Sequence, residues 1–152
     1  MGNAYGAEGI WYHNRDGQTW QTSVEYESSK DITRMKEFVD GIKWWKMQPD
    51  INHEFLIGGY GDYMTDNYAL ATVADDRSFV VVYTPVKHIL ELNLSTLGKK
   101  WKMRWFDPTN GMFFKVKKTE YRKEPGKVII TSPGKNSTEY TDWILIVEKR
   151  LR

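Results

Sequence analysis

The hydrophobic period of this chain changes once, near residue 50. Ile32, Met35, Val39 and Ile42 recur at helical spacing, with Phe38 and Trp45 widening the stripe, as in an amphipathic helix. Ser28 followed by Asp31 resembles a capping box, and Pro49 ends the segment, so the pattern predicts one helix from about Ser29 to about Lys46. Before it, residues 1–27 scatter Gly2, Gly6, Gly9 and Gly17 among Tyr5, Trp11, Tyr12, His13 and Trp20 without any period, and read as irregular loop. From His53 onward the period shortens to two. Short alternating runs bounded by turn residues predict strands at Glu54–Ile57, Tyr68–Ala74, Phe79–Thr84, Ile89–Leu94, Lys102–Asp107, Met112–Lys118, Lys127–Thr131 and Asp142–Lys149. The expected fold is mainly β, an antiparallel β-sandwich of about eight strands with one N-terminal amphipathic helix.

Three details sharpen this. Asp75-Asp76-Arg77-Ser78 joins two strands as a tight hairpin. Phe79-Val-Val-Val-Tyr83 is apolar on both faces and belongs in the middle of a sheet, whereas Leu90, Leu92 and Leu94 alternate with Ile89, Glu91 and Asn93 as in a strand with one buried face. Most informative is Trp105-Phe-Asp-Pro-Thr-Asn-Gly-Met-Phe-Phe114. Pro108 presets the first corner of a turn, Asp107 caps it, and Asn110-Gly111 accept positive φ at its exit. Closing the loop between Asp107 and Met112 pairs Phe106 with Phe113, Trp105 with Phe114, Arg104 with Lys115, Met103 with Val116 and Lys102 with Lys117. Trp101, Met103, Trp105, Phe114 and Val116 then share a core face, and Lys102, Arg104, Lys115 and Lys117 a basic one.

Composition adds less. Of 152 residues, 40% are hydrophobic and 28% charged, the proportions of a soluble globular domain long enough to bury a core. No apolar run approaches the roughly 20 residues that span a bilayer, and the N-terminus lacks a signal-peptide pattern. The absence of cysteine excludes disulfides, thiolate metal sites and a cysteine nucleophile. A net charge of +2 does not suggest a nucleic-acid binder. The aromatic share of 14% fits either a β-rich core or a sugar-stacking surface.

Candidate chemistry is sparse. Asp62 and Asp66 in the loop from Gly58 to Asn67 come nearest to a hydrolytic carboxylate pair. They read as a solvated loop ahead of catalysis or of calcium binding with Asn67. His13, His53 and His88 fall on separate elements, which argues against a metal site. Asp107 and Asp142 read as caps, the latter on backbone amides at the start of the last strand. Trp143, Leu145 and Val147 join Trp101, Trp105 and Phe114 as core. The candidate binding residues are the loop aromatics Tyr5, Trp11, Tyr12 and Trp20 and the basic face Lys102, Arg104, Lys115 and Lys117. Like charges facing each other there predict an anionic neighbour, either Glu91, Glu120 or Glu124, or an acidic polymer such as a pectic glycan.

Several stretches taken together are similar to one known family: Tyr5-Gly6 with Ile10-Trp11, Trp45 to Asp50, Ala69-Leu-Ala71, Val81 to Pro85, Leu92-Asn-Leu94, Trp105 to Pro108 with Gly111, and Asp142-Trp143-Ile-Leu. In this order they resemble the C-terminal part of the apiosidase-like glycoside hydrolases, whose last domain is named for collagen binding. The resemblance implies that residues 1–50 correspond to the last loop and helix of a (β/α)8 barrel and residues 51–152 to the β-sandwich behind it, the catalytic strands lying upstream. It further implies a non-catalytic domain, secreted or periplasmic, that supports a barrel or binds polysaccharide; from the residues themselves, no cofactor or metal is expected. The alternative is a stand-alone adhesive module for protein such as collagen. The apolar stripe of the N-terminal helix is expected either to fold back on the sandwich or to pair with a second copy, and neither nucleic acid nor membrane is expected as a partner.

Overall fold

The computed structural model describes residues 19–98 and 100–150; Tyr5, Trp11, Tyr12 and His13 lie outside them. The chain divides into two units, residues 1–42 and 43–152. In the first, Thr19 accepts the Thr22 N–H at 3.2 Å and caps a short helix, α1 (Trp20–Val24). Trp20, expected in an irregular loop, therefore sits on a helix. The long helix, α2 (Glu27–Asp40), starts after Tyr26 and stops at Gly41, so both ends differ from the expectation. At its start the cap position falls at Tyr26, two residues before Ser28, and the Arg34 guanidinium holds both Asp31 (2.6 Å) and Glu27 (2.5 Å). At its end, glycine costs about 1 kcal/mol of helix propensity, and the chain past Gly41 winds down into a 3-10 turn at Trp44–Lys46. Of the apolar stripe only Phe38 is buried, while Met35 is 39% exposed. Phe38→Ala should therefore lower the melting temperature by at least about 3 °C, which thermal unfolding checks.

In the second unit the period-two runs build two antiparallel sheets. One has the order β1 (Met47–Pro49), β3 (Leu70–Ala74), β4 (Phe79–Thr84), β10 (Trp143–Lys149), β6 (Trp101–Asp107), β7 (Met112–Lys115); the other, β2 (Leu56–Gly58), β5 (Ile89–Leu92), β9 (Lys127–Thr131), β8 (Tyr121–Glu124). The mainly β sandwich expected from the sequence is the fold, with ten strands among the described residues. Strands β1 and β8 are additions, both at sheet edges. The core lies between the sheets, with Val80, Val82, Met103, Trp105, Leu145 and Val147 from one and Leu56, Leu90, Leu92, Val128 and Ile130 from the other. Apolar burial of this kind contributes roughly 25 cal/mol per Å². The chain leaving β2 passes close against β5: a Cβ on Gly59, at φ +74°, would stand 1.8 Å from the Ile89 carbonyl oxygen, a position only glycine can fill.

The β6–β7 hairpin has the predicted register, Arg104 opposite Lys115, Trp105 opposite Phe114, Phe106 opposite Phe113 and Asp107 opposite Met112. Burial across the hairpin departs from the expectation at two side chains. Phe114 points to the core side and meets the Trp143 ring at 5.8 Å, yet it is 43% exposed because β7 is the edge strand. The outer face is not uniformly basic either. Phe106 is buried there, 4.9 Å from Phe113, whose ring lies 4.2 Å under the Arg104 guanidinium.

Candidate binding site

The two motifs richest in recognisable residues, the Asp107 turn and the start of β10, are tied together by the loop between β9 and β10. Asp107 is 1% exposed. One carboxylate oxygen accepts the Thr109 N–H (2.9 Å) and hydroxyl (2.6 Å), and the other accepts the Ser137 N–H (3.1 Å) and hydroxyl (2.7 Å). Burial pushes its pKa up, but these four hydrogen bonds more than offset that and hold it below the ordinary carboxylate value. Pro108 and Asn110 carry the chain to Gly111 at φ +75°, whose N–H closes the turn on the Asp107 carbonyl at 2.9 Å. Asn136 donates to the Asp142 carboxylate at 2.8 Å, and the Trp143 indole N–H donates to the Gly134 carbonyl at 2.9 Å. These residues hold structure.

At the opposite end of β6 the lysines gather. An open groove of about 860 Å³ runs where β6, β7 and β8 meet, lined by Lys100, Trp101, Lys102, Met103, Lys115, Val116, Lys117, Lys118, Tyr121, Lys123 and Arg150. Trp101 and Tyr121, half-buried and from different sheets, meet with ring centroids 5.5 Å apart, and the Lys123 ammonium lies 4.7 Å over the Trp101 ring, a cation–π contact. Three of the four predicted basic residues, Lys102, Lys115 and Lys117, thus line one groove. Arg104 faces a neighbouring depression of about 720 Å³ that Lys102 and Lys115 share. Sequence reading missed Trp101, Tyr121 and Lys123 as a set, because β6 and β8 lie in different sheets.

The expected counter-charge is corrected. Glu91 pairs with Lys127 (2.8 Å), Glu124 with Arg122 (2.9 Å) and Lys127 (3.7 Å), and Glu120 accepts the Lys117 backbone N–H at 2.9 Å. The carboxylate beside the basic face is Glu148, opposite Lys102 on β10 and within 3.1 Å of Lys102 and 3.4 Å of Arg104.

The remaining chemistry is scattered. Asp50 binds the N–H groups of Glu54 (2.9 Å), Phe55 (3.1 Å) and Leu56 (2.8 Å) and fixes the turn into β2. His53 stacks on Tyr60 at 4.0 Å and bonds the Tyr68 hydroxyl at 3.1 Å, while His88 bonds the Asn67 carbonyl at 2.6 Å. The Asp62 to Asn67 loop folds on itself through the Asn67 side chain, which accepts the Asp62 N–H at 3.1 Å and the Thr65 hydroxyl at 2.5 Å. Among the described residues no three His, Cys, Asp or Glu side chains group as metal ligands would.

Fold and groove define a two-sheet β-sandwich domain with a basic, aromatic-lined groove at one end. The chain belongs to the family described as "Putative collagen-binding domain of a collagenase", whose model matches residues 55–148. Among solved structures it is similar to a glycoside hydrolase (TM-score 0.64, 18% identity, 98% of this chain and 29% of that one). It is also similar to a family 5 glycoside hydrolase from Bacteroides vulgatus ATCC 8482 (TM-score 0.65, 19% identity, 89% of this chain and 28% of that one). A curated relative, "Putative zinc finger protein 012R" of Invertebrate iridescent virus 3, is 27% identical over 115 residues, 72% of this chain and 28% of that protein. The chain thus spans under a third of each of these proteins. The resemblance drawn from the sequence motifs is borne out at the level of this domain family and of a fold shared with part of glycoside hydrolase chains.

Proposed function

We propose that the chain is a non-catalytic accessory β-sandwich of a glycoside-hydrolase-like protein, of the apiosidase-like kind, and that it binds polysaccharide. The observation that carries this reading is the half-buried Trp101–Tyr121 pair in the wall of an open groove. Aromatic side chains offer an apolar body against which the C–H face of a sugar ring packs, while neighbouring donors engage its hydroxyls. The short span of the hydrolase chains that this chain covers, 28–29%, supports an accessory role beside a separate catalytic barrel. A second reading, adhesion to collagen or another protein, is favoured by the family's description. Affinity electrophoresis through gels containing soluble polysaccharides, with retention on immobilised collagen and release of an aryl glycoside's chromophore in parallel, separates the readings. Retardation by polysaccharide without chromophore release is expected. Retention on collagen alone transfers the assignment to adhesion, and chromophore release by the purified chain overturns the non-catalytic role.

A further inference from the structure

We infer that the groove at the Trp101 end of β6 is a site for an anionic polysaccharide, one whose sugars carry carboxylate groups, and that charge rather than ring stacking supplies its selectivity. The inference rests on the polysaccharide-binding reading above and deepens it. Its starting point is an imbalance. Among the described residues, seven cationic side chains line the groove and no carboxylate does. Of these, Lys102 has Glu148 at 3.1 Å, while Lys115, Lys117 and Lys118 make no ion pair among the described residues. Glu91 and Glu124 are held by Lys127 and Arg122, and Glu148 is shared between Lys102 and Arg104, so these carboxylates leave Lys115, Lys117 and Lys118 uncompensated. An uncompensated concave cluster with apolar walls concentrates the field and draws in anions.

The shape selects among anions. The groove is open to solvent and lined from β6, β8 and the chain following β7, which leaves room for a polymer to enter and leave. Among the described residues its cations are almost all lysine, flexible point charges suited to successive carboxylates; arginine, the residue that grips phosphate with a planar fork, contributes Arg150 alone. Trp101 and Tyr121 form the apolar wall, and the cation–π contact with Trp101 holds the Lys123 ammonium inside the groove. Trp101 is therefore a positioning residue for that charge as well as a surface for a sugar.

Binding of the full chain to polygalacturonate, to its fully methyl-esterified form and to single-stranded DNA, at low and at 0.5 M-class salt, tests the inference. The acid form should bind and the ester, with the same backbone and no charge, should bind at least about tenfold more weakly; raising the salt, which shortens the screening length to a few ångströms, should remove most of the difference. Lys115→Glu with Lys117→Glu should weaken acid-form binding at least about tenfold, since each reversal replaces an attraction by a repulsion. The matched reversal of Lys87 and Lys135, on loops at the Asp107 end, should leave it within about twofold at about 0.1 M salt, where the screening length of about 10 Å falls short of the roughly 20 Å that the seven residues of β6 span. Both lysine pairs are on exposed positions, and equal melting temperatures establish that all variants fold. Equal weakening by the two double reversals would make the attraction one of net charge and overturn the site. Ester and acid bound equally would overturn the inference and leave the polysaccharide reading standing, whereas neither form nor any neutral polysaccharide bound would bring down that reading as well. DNA held as tightly as polygalacturonate, and lost with the Lys115 and Lys117 reversals, would reassign the groove to nucleic acid.

Discussion

Asp107→Ala is expected to lower the unfolding free energy by about 3 kcal/mol, because four donors converge on a buried carboxylate and hydrogen bonds to charged groups are worth roughly 1.5–3 kcal/mol apiece when water is kept out. Two of those donors are backbone N–H groups, of Thr109 and Ser137, whose partners the substitution removes. In a domain of this size the loss corresponds to about 10 °C in melting temperature. The carboxylate also gives the prediction a pH signature. Its folded pKa lies below the ordinary value of 3.8, so the folded state binds the proton less readily than the unfolded one. The stabilisation is then complete above that ordinary value and is lost as pH falls through the folded pKa. Asp107→Asn, which keeps one acceptor and cannot titrate, should fall between wild type and alanine at neutral pH and show a shallower decline below about pH 4. Polysaccharide affinity should survive both changes, since the groove is at the other end of β6. A variant with wild-type stability and lost binding would reverse the roles given to the two ends of the strand.

How far the fold could be read in advance depended on where its determinants lie. The β6–β7 register was legible because Asp107-Pro108 and Asn110-Gly111 fix both ends of one short turn, and a turn sets the pairing of everything that leaves it. The one-faced alternation at Leu90 and Leu92 was legible for the same local reason, and both are fully buried. Edge strands were not. Met47–Pro49 contains a proline and Tyr121–Glu124 has no fully buried residue, so neither carries a buried face to impose a period. Phe114 shows the converse failure, since its face was right while its burial depended on being at the edge. The groove was half legible. Lys102, Lys115 and Lys117 could be placed on adjoining strands, but their neighbours arrive from afar: Glu148 across the β10–β6 ladder and Tyr121 and Lys123 from the second sheet. Asp107 as a turn cap was foreseeable, whereas its two bonds to Ser137 span 30 positions of sequence.

Trp143→Ala should cost more than any other single truncation considered for this domain, about 4 kcal/mol, in the range for emptying a buried tryptophan site. Trp143 is 6% exposed, meets Trp105 edge to face at 6.5 Å and Phe114 at 5.8 Å, and sends its N–H to Gly134. It thereby joins three elements: the middle of the six-stranded sheet, the edge strand through Phe114, and the loop that delivers Ser137 to Asp107. Packing and hydrogen bonding can be separated. Trp143→Phe keeps most of the ring contacts and leaves the Gly134 carbonyl without its donor, which should cost about 1–3 kcal/mol. Phe114→Ala, at a half-exposed edge position, should lose less than Trp143→Ala, and the double variant should lose less than the sum, because both substitutions remove the same contact. Chemical unfolding of the four variants gives these differences directly. A Trp143→Ala protein within about 1 kcal/mol of wild type would mean that the site closes up without it, and strict additivity with Phe114→Ala would mean that the 5.8 Å ring contact carries no energy.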